Sequence, residues 1–233
     1  DALVYLSKFK AVYLQGGFDA IIEIADGYIL REQLLFDGID LSYITITYKG
    51  SGELKVDRDA LTVDFNAGAY PVIGAKGGAN TPKIDVILDL QVPIGSEIAT
   101  DRKYGLYAFR ATINFVGAGA VNCAGHAVIV TQGGVMRGSI ITCSSNKGDG
   151  VYVARGSMVS AYRITTSTHE GSAAYVSGSI LAPTTLNATN SDEATKDLVR
   201  VYAGGAVRTS AGTWTNNGSG NKCNVSAGTI SSN

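Results

Sequence analysis

The sequence is poor in charge, holds four prolines and contains no long apolar run. No stretch approaches the ~20 consecutive apolar residues of a membrane span, so membrane insertion is not expected. The formal net charge is −1, which removes the usual electrostatic reason to expect nucleic acid or an anionic membrane as partner. Charged residues make up 17% and hydrophobic ones 45% of the chain, the reverse of a disordered composition. The three cysteines, Cys123, Cys143 and Cys223, are odd in number and far apart, with no CxxC or Cys/His ligand spacing. No metal or other cofactor is therefore expected, and the thiols read as free and buried. Nucleophile elbow, P-loop, dinucleotide fingerprint and HExxH are all missing, which sets aside nucleotide chemistry and zinc hydrolysis. The opening Asp1-Ala2-Leu3-Val4 has neither an initiating Met nor a signal-peptide pattern, so a segment of a longer chain is expected.

What is present is glycine, 29 of 233 residues, together with abundant Val, Ile, Thr, Ser and Tyr. Many turns between short strands follow from that mixture. Residues 1–17 read as a short amphipathic helix, a cap or linker, in which Leu3, Leu6, Phe9 and Tyr13 share a face before Gly16-Gly17 ends it. From residue 18 the pattern changes to short apolar or alternating runs: Ile21–Ile24, Leu34–Phe36, Ile39–Ile46, Leu61–Phe65 and Ile84–Val92. Asp26-Gly27 and Asp37-Gly38 are turn signals among them.

Repetition chooses between β architectures. Leu106-Tyr-Ala-Phe-Arg110-Ala111, Val128-Ile-Val-Thr-Gln132-Gly133, Val151-Tyr-Val-Ala-Arg155-Gly156, Ala173-Ala-Tyr-Val-Ser177-Gly178 and Val199-Arg-Val-Tyr-Ala203-Gly204 superpose. Their closing small residues recur at steps of 22, 23, 22 and 26, and a second apolar run follows each. A unit of about 22 residues with short strands and no helix is one coil of a β-solenoid. The expected fold is an all-β, right-handed parallel β-helix over residues 18–210, the hand following the general crossover preference. Residues 211–233 read as a polar C-terminal segment or the last coils.

Three stretches carry a family resemblance: Asp1-Ala-Leu-Val-Tyr-Leu-Ser-Lys-Phe9, Ala20-Ile-Ile-Glu-Ile-Ala-Asp-Gly-Tyr-Ile29 and Arg31–Ile46. They resemble the opening of the β-helix in bacteriophage tailspike and tail-fibre proteins, whose fold is pectate-lyase-like. Gly150-Val-Tyr-Val-Ala-Arg-Gly-Ser-Met-Val-Ser-Ala161 and Tyr175-Val-Ser-Gly-Ser-Ile180 resemble later coils of the same proteins. The resemblance covers roughly residues 1–185 and implies a virion protein of the phage tail. Such a protein acts extracellularly, commonly as a homotrimer, to bind or degrade bacterial surface polysaccharide. A binding module is the expected function; a capsular polysaccharide depolymerase, lyase or glycosidase, and a secreted bacterial β-helix adhesin are the alternatives.

Stacking sets equivalent residues of adjacent coils ~4.8 Å apart, so like positions form columns. Tyr104, His126, Asp149 and Glu170 each adjoin a glycine just before a repeat, and one ladder of the four is expected. Asp149 and Glu170 one coil apart would approach the ~5–5.5 Å carboxylate separation of a retaining glycosidase. Tyr104 and His126, with Asp149 orienting the imidazole, would instead suit proton abstraction beside a uronate carboxylate. A second column, Arg110, Gln132, Arg155 and Ser177, is flanked by Tyr107 and Tyr152. Arg forks bind carboxylates and tyrosine faces stack on sugars, which suits an acidic polysaccharide. The plain alternative for both columns is a solvated turn or an oligomer contact.

Overall fold

The computed structural model describes residues 20–92, 101–190 and 196–232; the helix expected over 1–17 lies outside the described residues. The chain is an all-β parallel solenoid built from two stacked sheets. The long sheet runs, in spatial order, through β1 (Ala20–Ile24), β3 (Ile44–Tyr48), β6 (Asn80–Asp89), β8 (Thr112–Val121), β10 (Val135–Ser144), β12 (Met158–His169), β14 (Ile180–Asn190), β16 (Ala206–Thr209) and β19 (Thr229–Ser232). Two short strands join it: β4 (Leu54–Lys55) beside β6, and β17 (Trp214–Thr215) beside β14. The second sheet stacks β2 (Leu34–Asp37), β5 (Tyr70–Lys76), β7 (Lys103–Phe109), β9 (Val128–Thr131), β11 (Val151–Ala154), β13 (Ala174–Ser177), β15 (Val199–Tyr202) and β18 (Cys223–Ser226).

Alternation along each strand sends one set of side chains inward, and stacking lines them up. Leu106, Val128, Val151, Ala174 and Val199 form one buried column of the second sheet. Ile113, Met136, Val159, Leu181 and Val207 form the facing column of the long sheet. One coil cannot bury this apolar face alone, whereas the stack shares it with both neighbours. Cys123 and Cys143 belong to this interior, and burial pushes the Cys143 thiol up to about 12. Cys223 departs from the expectation of a buried thiol, being exposed on β18.

The corner between the second sheet and the long sheet repeats one backbone device. The residue after each strand takes positive φ: Gly38, Gly77, Arg110, Gln132, Arg155, Gly178, Ala203 and Ala227. At Gln132, Arg155 and Ala203 a glycine with φ of 75° to 77° follows, so the turn uses two left-handed residues. The turn at Gly178 uses one. That deletion shifts the strand before it by one position: Ser177 lies opposite Ala154, not Arg155. The coil step on the second sheet is accordingly 22, 23, 23, 25 and 24 residues from Leu106 through Cys223, about 23 in place of 22.

Candidate functional site

The outer face of the second sheet carries most of the aromatic side chains that touch one another. Its central outward column runs Leu35, Gly74, Tyr107, Ile129, Tyr152, Tyr175, Arg200 and Asn224. A second column, two residues before each buried strand start, holds Tyr104, His126, Asp149 and Ser172. Gly125, Gly148 and Gly171 precede the last three. A Cβ on Gly148 would sit 2.6 Å from the Gly125 carbonyl oxygen, and one on Gly171 equally close to that of Gly148. Only glycine lets the coils close at this corner, and the closure fixes the residue that follows.

Glu170 therefore leaves the ladder expected from the sequence. It lies one residue before Gly171, not after it, and its carboxylate is 3.9 Å from Nζ of Lys147, the equivalent residue of the previous coil. Ser172 takes its place. The remaining members are joined by a regular exchange. The backbone N–H of Asp149 donates to Nδ1 of His126 (2.8 Å), and that of Ser172 donates to Oδ1 of Asp149 (2.7 Å). The His126 and Asp149 side chains thus each satisfy a backbone donor one coil along.

That exchange decides what His126 can do. With Nδ1 accepting, its proton resides on Nε2, so the neutral ring has no free basic nitrogen. Asp149 Oδ2 stands 3.4 Å from Nδ1 but receives no proton from it. Burial lowers the imidazole pKa, against a smaller opposing effect of Asp149, and keeps the ring neutral. The ring is sandwiched between Tyr104 (5.7 Å, 19°) and Tyr152 (5.2 Å, 31°). Burial also raises both phenols, Tyr104 and Tyr152, so they remain hydrogen-bond donors. The Nδ1 lone pair of His126 is thus engaged by the backbone, whereas the proton abstraction expected from Tyr104, His126 and Asp149 calls for a free one.

The binding residues expected from the sequence divide in two. Tyr107 is only 8% exposed, because the segment between β4 and β5 crosses the sheet above it. Phe65 of that segment packs on Tyr107 with ring centroids 5.5 Å apart and planes inclined by 57°, and Asn66 Nδ2 donates to the Tyr107 hydroxyl at 3.3 Å. Gln33 clamps the segment, donating to Val63 O and Pro71 O and accepting from Val63 N. Tyr107 is therefore closed to a ligand. Tyr152 lies beyond the segment, half-buried, with its ring 4.8 Å from Tyr175 and inclined by 4°. Its faces are occupied by Tyr175 and His126, so it presents an edge and a hydroxyl, not the sugar-stacking face expected. Arg110 and Arg155 are exposed and Gln132 half-buried, all three on the left-handed turn; the Arg110 guanidinium lies 5.3 Å over Phe109.

Three further residues complete the open part of the face. Tyr175 continues the stack, Tyr202 follows it at 5.7 Å, and the Arg200 guanidinium lies over both rings at 4.9 and 5.5 Å. Aligning the repeats by strand rather than by closing glycine reveals Tyr175 and Arg200, since Tyr107, Ile129, Tyr152, Tyr175 and Arg200 then share a column. Comparison with protein-family models, curated proteins and solved structures gives no match.

Proposed function

We propose that this chain is a bacteriophage tail-fibre or tailspike module that binds host surface polysaccharide lengthwise on the outer face of its second sheet. The carrying observation is the unbroken file His126, Tyr152, Tyr175, Arg200 and Tyr202, open beyond the segment that covers Tyr107. Coils recur at ~4.8 Å, so the file offers a polymer aromatic ring edges and hydroxyls coil after coil along its length, with the Arg200 guanidinium at its far end. A repeating ligand matches a repeating surface, and binding energy accumulates along the chain without a deep pocket. The phage setting and the homotrimer rest on the resemblance of the quoted coils. Binding is favoured over cleavage because His126 has no free basic nitrogen and Glu170 is paired with Lys147.

The test is incubation with capsular polysaccharides from candidate hosts, following retention, ultraviolet absorbance of unsaturated ends, and reducing ends. Retention without new ends is expected, weakened about tenfold by Tyr175→Ala with Arg200→Ala, two of the central contacts. Unsaturated ends would establish a lyase, reducing ends alone a hydrolase. Retention of none of the polysaccharides would end the reading.

A further inference from the structure

Charge is distributed unevenly along the chain. Residues 1–100 contain eight Lys/Arg and 14 Asp/Glu, a net −6, whereas residues 101–233 contain 11 and six, a net +5. The described coils keep this contrast, with six Lys/Arg and 11 Asp/Glu over residues 20–92 against 11 and four over 101–190 and 196–232. Pairing sharpens the contrast. Arg31, Lys49, Arg58 and Lys76 of the first half each have a carboxylate partner within 4.0 Å, as do Lys103 and Lys147 of the second. Among the described residues Arg110, Arg155 and Arg200 have none. The acid closest in influence to Arg200 is Asp197, whose Oδ1 accepts from Asn221 and Oδ2 from Asn224.

These three arginines are regularly placed. They fall 45 residues apart in the sequence and belong to the coils of β7, β11 and β15, so a coil without an arginine at these positions separates each from the next. Two coils rise about 9.5 Å, and that is the axial interval between the backbone positions that carry successive arginines; the three-residue offset of Arg200 adds about 10 Å across the face between it and Arg155. Arg110 and Arg155 share the turn column, while Arg200 sits three positions earlier on its strand, above Tyr175 and Tyr202, so the line crosses the face obliquely.

We infer that the later coils bind an anionic polysaccharide whose carboxylates recur about every second sugar, with Arg110, Arg155 and Arg200 each receiving one. This inference rests on the polysaccharide reading above and names the class of ligand. The spacing argues against nucleic acid, the other common polyanion. Duplex DNA carries a charge every ~1.7 Å, which would leave most phosphates unmatched by arginines about 9.5 Å apart along the axis. An extended glycan with one acid per disaccharide spaces its charges on the scale of two coils. Guanidinium forks take carboxylates in a bidentate manner, and Tyr152 and Tyr175, in the same column as Arg200 on the coils of β11 and β13, supply hydroxyls for the neutral sugar.

The experiment is affinity electrophoresis of the full chain through gels containing hyaluronan, which has a carboxylate on every second sugar, or its carboxyl-reduced neutral derivative. A 20-base-pair DNA duplex serves as competitor. Hyaluronan should retard the protein, and carboxyl reduction should weaken retardation at least about tenfold. R155Q/R200Q should weaken it by a similar factor while leaving the circular dichroism unchanged, and R31Q, in the acidic coils, should leave it intact. Equal retardation by the neutral derivative, no retardation by hyaluronan, tighter binding of DNA, or an unaffected R155Q/R200Q variant would each overturn the inference. None of these outcomes decides the host-polysaccharide reading, which stands or falls on retention of capsular polysaccharide.

Discussion

The coils before residue 100 and those after it share one core but differ in regularity. On the second sheet Leu34, Ile73 and Leu106 are equivalent, at steps of 39 and 33 residues, whereas later steps run from 22 to 25. The extra length of the first coils is used. It builds β4 and the covering segment that seals Tyr107 beneath Phe65. Among the described residues no such cover lies over Tyr152, Tyr175 and Tyr202, so regular spacing and an open ring file occur together. A solenoid can thus turn a repeating face from structure into surface by the length of a single loop.

The largest test of this comparison breaks the regular half alone. A Cβ on Gly138, in the middle of β10, would overlap the Phe115 carbonyl oxygen of the coil before. Gly138→Val should cost about 4 kcal/mol or more by forcing neighbouring backbones apart. Gly27, at φ 72° with nothing near its Cβ position, should lose about 1 kcal/mol on substitution by Ala. Thermal unfolding of the two variants checks the contrast; equal losses would mean that close backbone approach does not govern the later coils.

Acid should also act first on the regular half, because both histidines lie there. His169 is fully buried, and burial takes its pKa from 6.5 down to about 3. The unfolded chain therefore binds the proton more readily than the folded one. Stability is complete above pH ~6.5 and declines as pH falls toward 3, by about 3 kcal/mol between pH 6.5 and pH 4. His126, lowered in the same direction, adds to the loss. Denaturant titrations across that range should show the decline and a shallower one in His169→Gln. An identical slope in the variant would assign the acid response elsewhere.

A small effect on stability is expected to be the most selective. Gln33→Ala removes three hydrogen bonds that hold the covering segment and should cost about 1–2 kcal/mol. Tyr107 should then react with a tyrosine-modifying reagent as Tyr152 does. Continued protection of Tyr107 would show that Phe65 and Asn66 suffice to hold the cover.

The later coils were legible because their step is nearly constant and Val128-x-Val130, Val151-x-Val153 and Val199-x-Val201 repeat the same inward pair. Phase within the corners was not. Glycine adjoins His126 and Asp149 on the same side, but it adjoins Glu170 on the opposite side, and adjacency to glycine does not say which. The one-residue turn at Gly178 likewise moved Ser177 out of the arginine column. Tyr107 looked like an open ligand residue because the group that covers it, Phe65, is 42 positions away in the sequence. In the first coils the insertions hid the period altogether.

Trp214 is the chain's only tryptophan. Its indole N–H donates to the Leu186 carbonyl across two adjacent coils, at 3.1 Å. The molecule consequently contains its own light-emitting gauge of how firmly those two coils adhere. Fluorescence that reddens below the main melting transition would register the separation of Trp214 from Leu186 while the rest of the rod is still intact.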